Sequence, residues 1–280
     1  MLGVDGHGVH QSMGGWVPVY ADGAAARLAC MSVGFLLKNK GDSVVWRGPK
    51  KNGMIRQFLS DVRWGDLDYL VIDTPPDDPI CFISLSSPSI SLPSLPHLDI
   101  PTPFLRVLPG TSDEHLSLIE HLAPVRDKLS SVIVTTPQVV ALTDSMKCLS
   151  FTRNVGLPVL GLIENMSGYV CPCCGEVSNV FSTGGGEDMA KREGLRLLGS
   201  LPVDTELVTL LDAAAVAESE NEQREKESGG MEGVTAETQP PTAAFELLAK
   251  YEKTPTAKLF KGIAARAIEN LNQGEDHLPR

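Results

Sequence analysis

Short apolar runs recur along this chain, and their form decides the fold class before any single residue does. Residues 28–36 (LACMSVGFL), 67–73 (LDYLVID), 131–137 (SVIVTTP), 157–165 (LPVLGLIEN) and 195–202 (LRLLGSLP) are nearly continuous in their apolar character. A strand with one wet face alternates apolar and polar positions. A strand covered on both faces does not, so these runs predict a parallel sheet buried between two layers. Helical patterns lie between them. Within 113–129 the apolar positions 116, 118, 119 and 122 form one stripe, and 138–153, 186–194, 243–253 and 257–271 also suit helices. Strand–helix alternation predicts a doubly wound, mainly parallel α/β fold with ligands beyond the carboxyl ends of its strands. Asp73, Thr135, Thr136 and Asn165 all fall at such ends.

Two segments break the pattern. Residues 77–109 hold seven prolines and six serines among 33 positions. That composition predicts a disordered insertion, neither helix nor central strand. Residues 217–233 (AESENEQREKESGGMEG) are acidic and punctuated by glycine, which predicts a solvated, disordered loop over 213–240. What remains is one α/β domain over 1–76 and 110–212, with 241–280 as its C-terminal helices.

Composition narrows the function. The chain has 280 residues and is 42% hydrophobic, enough for a sizeable core. Its net charge is -11 and its densest basic run, Arg47 to Lys51, is short, so a nucleic-acid surface is not expected. No apolar stretch reaches the roughly 18 residues that a spanning helix needs, so no membrane partner is expected. The opening MLGVDGHGVHQSMGG lacks the charged and apolar regions of a secretory signal, and a cytoplasmic location is expected.

The six cysteines carry the most chemistry. Cys30, Cys81 and Cys148 stand alone in the sequence, whereas Cys171, Cys173 and Cys174 form the run CPCC. A C-x-x-C pair sets two thiolates on one tight turn facing a common point, so Cys171 and Cys174 are candidate ligands for zinc or an iron–sulfur cluster. Cys173 is expected to project elsewhere as a bystander. Either kind of site normally takes about four protein ligands, and no second pair exists here. A symmetric site shared by two chains repairs the deficit.

Other candidates are weaker. Asp73 closes a buried strand, where P-loop NTPases orient Mg²⁺, although the pattern alone favours an ordinary strand-end Asp capping the next turn. Thr111 or Ser112 in GTSDEH suits a helix cap, with Asp113 and Glu114 at the positive helix end. The run STGGGED at 182–188 precedes a helix, and a lone glycine run says little about phosphate. His7 and His10 read as solvated loop residues.

Taken in order, MSVGFLL, VVWRGPKKNGMIRQFLSDVRWGDLDYLVIDTPP, GTSDEH, TTPQ, GLIENMSGYVCPCC and FSTGGGEDMA resemble the Mrp/ApbC-like deviant P-loop ATPases. Within these the chain is similar to the smaller-subunit group of the eukaryotic cytosolic iron–sulfur scaffolds. The resemblance spans about 1–76 and 110–212 and implies a P-loop NTPase fold of the MinD/Mrp type. It implies a 4Fe–4S cluster bridging subunits, with Cys171 and Cys174 on the cluster-ligand C-P-x-C. It implies that Asp73 is the Mg²⁺-side catalytic Asp and that Asn165 lies near the base of bound ATP. It also implies pairing with a larger P-loop scaffold subunit in a heterotetramer, or with itself as a homodimer, and delivery of the cluster to apo iron–sulfur proteins.

Departures from the family set further expectations. The sequence contains no G-x-x-x-x-G-K-[ST], the loop that makes most phosphate contacts, so ATP/Mg binding is expected to be very weak or lost. The family's first strands have no counterpart, and the strands left are expected to expose backbone and apolar surface. The motif DTPPGTSDEH is split between Pro76 and Gly110, as a retained intron or a gene-model error would split it. The leading functional reading is an iron–sulfur scaffold and carrier. The alternatives are a colourless zinc-stabilised dimerisation module and a non-functional fragment.

Overall fold

The computed structural model describes residues 4, 8–21, 27–37, 48–74, 113–171, 173–174, 176–213 and 249–273, and the main chain of 81–90. The chain divides into two compact units, 1–43 with 204–257 and 44–203 with 258–280.

The first unit is built from small pieces. Strands β1 (His10–Ser12) and β2 (Gly15–Val17) form one antiparallel hairpin, and β3 (Val19–Tyr20) pairs antiparallel with β4 (Ala29–Cys30). Val4, Val19 and Ala21 form its small core against Cys30 and Phe35. The run 28–36 is therefore not one buried strand. It breaks after Cys30 into a 3-10 turn over Val33–Leu36, whose start Ser32 caps by accepting the Gly34 N–H at 3.2 Å. A side-chain acceptor offered to the local backbone competes with the sheet ladder, and here it wins. A helix covers 205–213.

The second unit holds the sheet. Helix α1 (Gly48–Ser60) leads to β5 (Leu67–Ile72) and β6 (Cys81–Ile90). There follow α2 (Asp113–His121), β7 (Leu129–Thr135), α3 (Val139–Asn154) and β8 (Val159–Glu164). The hairpin β9 (Tyr169–Val170) and β10 (Val177–Ser178) precedes α4 (Gly185–Glu193), β11 (Leu197–Ser200) and α5 (Pro255–Gln273). The strand order is β11-β8-β7-β6-β5. β7, β8 and β11 run parallel, whereas β6 is antiparallel to both of its neighbours.

The doubly wound α/β class predicted from the apolar runs is the observed one. Ile133 of β7 and Leu162 of β8 pack under α3 and α4 with Leu149 and Met189. Val132 faces the opposite layer, where it meets Leu198, Leu201 and Ile263 of α5. Both faces of β7 are thus covered, which is why its sequence does not alternate.

The expectation for 77–109 is corrected at 81–90. These residues form a strand in the middle of the sheet, with Ile83 opposite Ile72 on one side and Ser131 on the other. The physical reason is the placement of the prolines. Cys81 to Ser87 contain none, and Ile83 and Leu85 alternate with Ser84 and Ser86. Pro88 falls where the β5 register shifts between Leu67 and Tyr69, beyond the last β7 partner, Leu85. A proline is tolerated where no ladder bond is required of it. Because β5 and β7 are each antiparallel to β6, they point the same way as each other. The rest of 77–109 and most of the acidic loop lie outside the described residues, as do Thr111, Ser112 and His7. At the sheet edge, Val71 and Tyr69 of β5 are 67% and 43% exposed. Cys148, which stands alone in the sequence, is disulfide-bonded.

Candidate functional site

The carboxyl ends of β7 and β8 lie side by side, which brings Thr135 and Asn165 together, whereas Asp73, just beyond Ile72 of β5, is level through β6 with Val132, three residues short of Thr135. Asn165 follows the last residue of β8, and its N–H donates to the Thr135 carbonyl at 2.7 Å, continuing the parallel ladder by one bond. Its Oδ1 accepts the Met166 N–H at 2.9 Å. Met166 sits at φ 56, so the chain turns sharply away from the sheet at this point. Beside it, Thr136 Oγ1 is buried without a hydrogen-bond partner. Asp73 is exposed, and β6 separates its strand from β7. It therefore stands one strand spacing, about 4.8 Å, further from Thr135 than direct β5–β7 pairing would leave it. Among the described residues no hydrogen bond or ion pair joins Asp73 to Asn165 or to the cysteines.

Beyond Asn165 the chain makes the hairpin β9–β10, with Val170 opposite Val177 and Tyr169 opposite Ser178. The Cys171 N–H donates to the Glu176 carbonyl at 2.9 Å and closes the turn that carries the cysteines. Cys171 is half-buried, whereas Cys173 and Cys174 are exposed. The neighbouring backbone N–H groups, that of Cys174 first and then that of Cys173, favour the thiolate and hold Cys171 below the ordinary cysteine range, while desolvation opposes them. Among the described residues no three His, Cys, Asp or Glu side chains converge on one metal position. The turn carries two thiols within four residues, Cys171 half-buried and Cys174 exposed. Val170, Val177 and Val180 around them are 46%, 58% and 61% exposed.

The glycine-rich run after the hairpin has a structural cause. A Cβ on Gly185 would lie 2.8 Å from the Pro137 carbonyl oxygen and 2.6 Å from Leu142 Cδ1. On Gly186 it would lie 2.8 Å from Glu164 Oε2. The start of α4 thus touches the ends of β7 and β8 directly, and only glycine permits the approach. Its positive end is filled by a carboxylate of the chain itself, because the Gly186 N–H donates to Glu164 Oε2 at 2.5 Å. This helix start is therefore already occupied by Glu164. The sequence reading missed Glu164. The one available signal was an acid at the last position of an otherwise apolar strand, which promises either exposure or a partner.

Strand order and the two covering layers define an α/β protein, and the comparisons place it in the P-loop NTPase class. A solved nucleotide-binding protein from Archaeoglobus fulgidus, in complex with ADP, superimposes with a TM-score of 0.51 at 27% identity, covering 78% of this chain and 69% of that one. The chain belongs to the ParA family, matching the description "NUBPL iron-transfer P-loop NTPase" over residues 1–85 and 99–235. Among its relatives is the "cytosolic Fe-S cluster assembly factor CFD1" of Mycosarcoma maydis, 53% identical over 76% of this chain, of whose length the chain spans about half, 49%. The protein of the same description from Yarrowia lipolytica is 42% identical over 98% of this chain and 72% of its own length. The "cytosolic Fe-S cluster assembly factor NUBP2" of Bos taurus is 46% identical over 76% of this chain and 65% of its own length.

Proposed function

We propose that this chain is a cytosolic iron–sulfur cluster assembly factor that carries a labile 4Fe–4S cluster on Cys171 and Cys174. One observation carries the reading. Cys171 and Cys174 share one turn, closed by the Cys171 N–H to Glu176 carbonyl bond at 2.9 Å, with Cys171 half-buried and Cys174 exposed. A turn fixed in this way holds both sulfurs close together before iron arrives, so little reorganisation accompanies loading.

The cluster is cargo and is held at a contact between two chains. One turn supplies two thiolates where about four are needed, and a second copy or a larger subunit of the same family supplies the others. The exposed Val170, Val177 and Val180 flank the turn and give that contact its apolar component. A site at the rim of two subunits is accessible to apo iron–sulfur proteins, which receive the cluster by thiolate exchange. Asp73 and Asn165 are assigned to the Mg²⁺ side and the base side of a nucleotide at the strand ends, where a bound nucleotide would gate loading.

The test is anaerobic reconstitution of the full chain with iron and sulfide. The expected product is brown, with broad absorbance near about 400 nm and roughly four irons for every two chains. The double substitution Cys171→Ala, Cys174→Ala removes both. Unchanged iron and sulfide in that variant, or a colourless wild-type protein holding only zinc, would sink the reading.

A further inference from the structure

The cysteine hairpin is an excursion. The chain leaves the sheet after Glu164, runs through residues 165–185, and returns at Gly186 in the first turn of α4. One side chain ties both ends. Glu164 is 1% exposed. Its Oε1 accepts from the Ser167 hydroxyl at 2.6 Å, at the outgoing end, and its Oε2 accepts the Gly186 N–H at 2.5 Å, at the returning end. Its main chain is held as well. The Glu164 carbonyl accepts the Leu201 N–H at 2.8 Å, and the Ser167 N–H donates to the Leu201 carbonyl at 2.8 Å.

Burying a carboxylate costs several kcal/mol unless donors compensate it. Two short charge-assisted bonds and the positive end of α4 supply that compensation here. An acid at this position is a poor choice for simple packing. It is a good choice for accepting at both oxygens at once from two segments that are otherwise separated by 18 residues (168–185) of loop, hairpin and turn. The missing side chain at Gly186 belongs to the same arrangement, since a Cβ there would lie 2.8 Å from Oε2. Asn165 directly follows Glu164 and Cys171 lies four residues beyond Ser167, so this tie sits between the strand-end edge and the cysteines.

We propose that Glu164 is a positioning residue that clamps the root of the cysteine-bearing excursion and thereby sets the placement of Cys171 and Cys174. In its consequence for iron the inference rests on the cluster-carrying reading above. In its consequence for the hairpin it does not.

Full-length wild type, Glu164→Ala, Glu164→Gln and Ser167→Ala chains decide it. Hydrogen exchange is read without metal, and iron release to a chelator and the visible circular dichroism of the cluster are read after reconstitution. Glu164→Ala removes the side-chain tie at both ends and leaves the main-chain bonds to Leu201, so exchange across 165–185 accelerates about tenfold, the worth of one such bond, while β7 and α3 keep their protection. Iron release accelerates by a similar factor and the dichroism changes shape. Glutamine can accept from Gly186 and donate to the Ser167 oxygen, so Glu164→Gln restores most of the protection and the wild-type dichroism. Ser167→Ala shows a smaller change, confined to the outgoing end.

Uniform acceleration in β7, α3 and the hairpin alike would reduce Glu164 to a general stability residue and overturn the proposal. So would a Glu164→Ala chain that exchanges, or holds iron, as wild type does. If wild type takes up no iron, the cluster reading fails, and the exchange measurement still decides the clamp.

Discussion

At the scale of single residues, the site turns on contacts too short for any substitute. Gly186 shows how two opposing effects are weighed. Replacing it with alanine gains about 1 kcal/mol of helix propensity. The new Cβ meets Glu164 Oε2 at 2.8 Å, and that oxygen cannot retreat, because the carboxylate is pinned from Ser167 as well. Overpacking of this kind costs about 1–3 kcal/mol, so Gly186→Ala is expected to be net destabilising, by up to about 2 kcal/mol, as read from the denaturant midpoint. A shift in the stabilising direction would show that the carboxylate moves freely. The cysteines differ from Gly186 in legibility. Their spacing was plain in the sequence, whereas the partial burial that distinguishes Cys171 from its neighbours depends on the path of the turn.

At the scale of elements, helix ends and strand order matter most. His121 occupies the last turn of α2, where the helix dipole favours a cation. Burial lowers its pKa nevertheless, aided by the charge of Arg56 and opposed by Glu120. Desolvation outweighs the dipole because it acts on the whole charge. The unfolded chain therefore takes up this proton more readily than the folded one. The stability His121 preserves is complete above its unfolded value of 6.5 and is lost as pH falls below that toward the lowered folded value. Urea unfolding between about pH 7.5 and about pH 5 should show this loss, and His121→Gln should flatten it. An unchanged slope in the variant would assign the loss to other groups.

At the scale of the whole molecule, β6 is the feature that sets this chain apart from its motif pattern. It stands between β5 and β7, both of which run antiparallel to it, so withdrawing it leaves two strands pointing the same way and able to pair in parallel. Deleting 77–109 is therefore expected to give a chain that folds cooperatively, with a thermal midpoint no lower than that of the full chain and Asp73 one strand spacing nearer Thr135. Aggregation or non-cooperative melting of the shortened chain would show that β6 is needed to complete the sheet. The α/β class, the strands β5, β7, β8 and β11, the helices 138–153 and 257–271, and the cysteine pair were all legible in the sequence, because each is written in local periodicity or local spacing. Three things were not. The run 28–36 was cut short by a local side-chain bond at Ser32, a serine- and proline-rich stretch found a strand's place between two neighbours, and Glu164 found donors from segments far along the chain. Sequence alone determined which residues prefer to be buried and which can bind metal. Only the tertiary structure decided which strands are neighbours and which buried charge is compensated, because both depend on groups brought together across the fold.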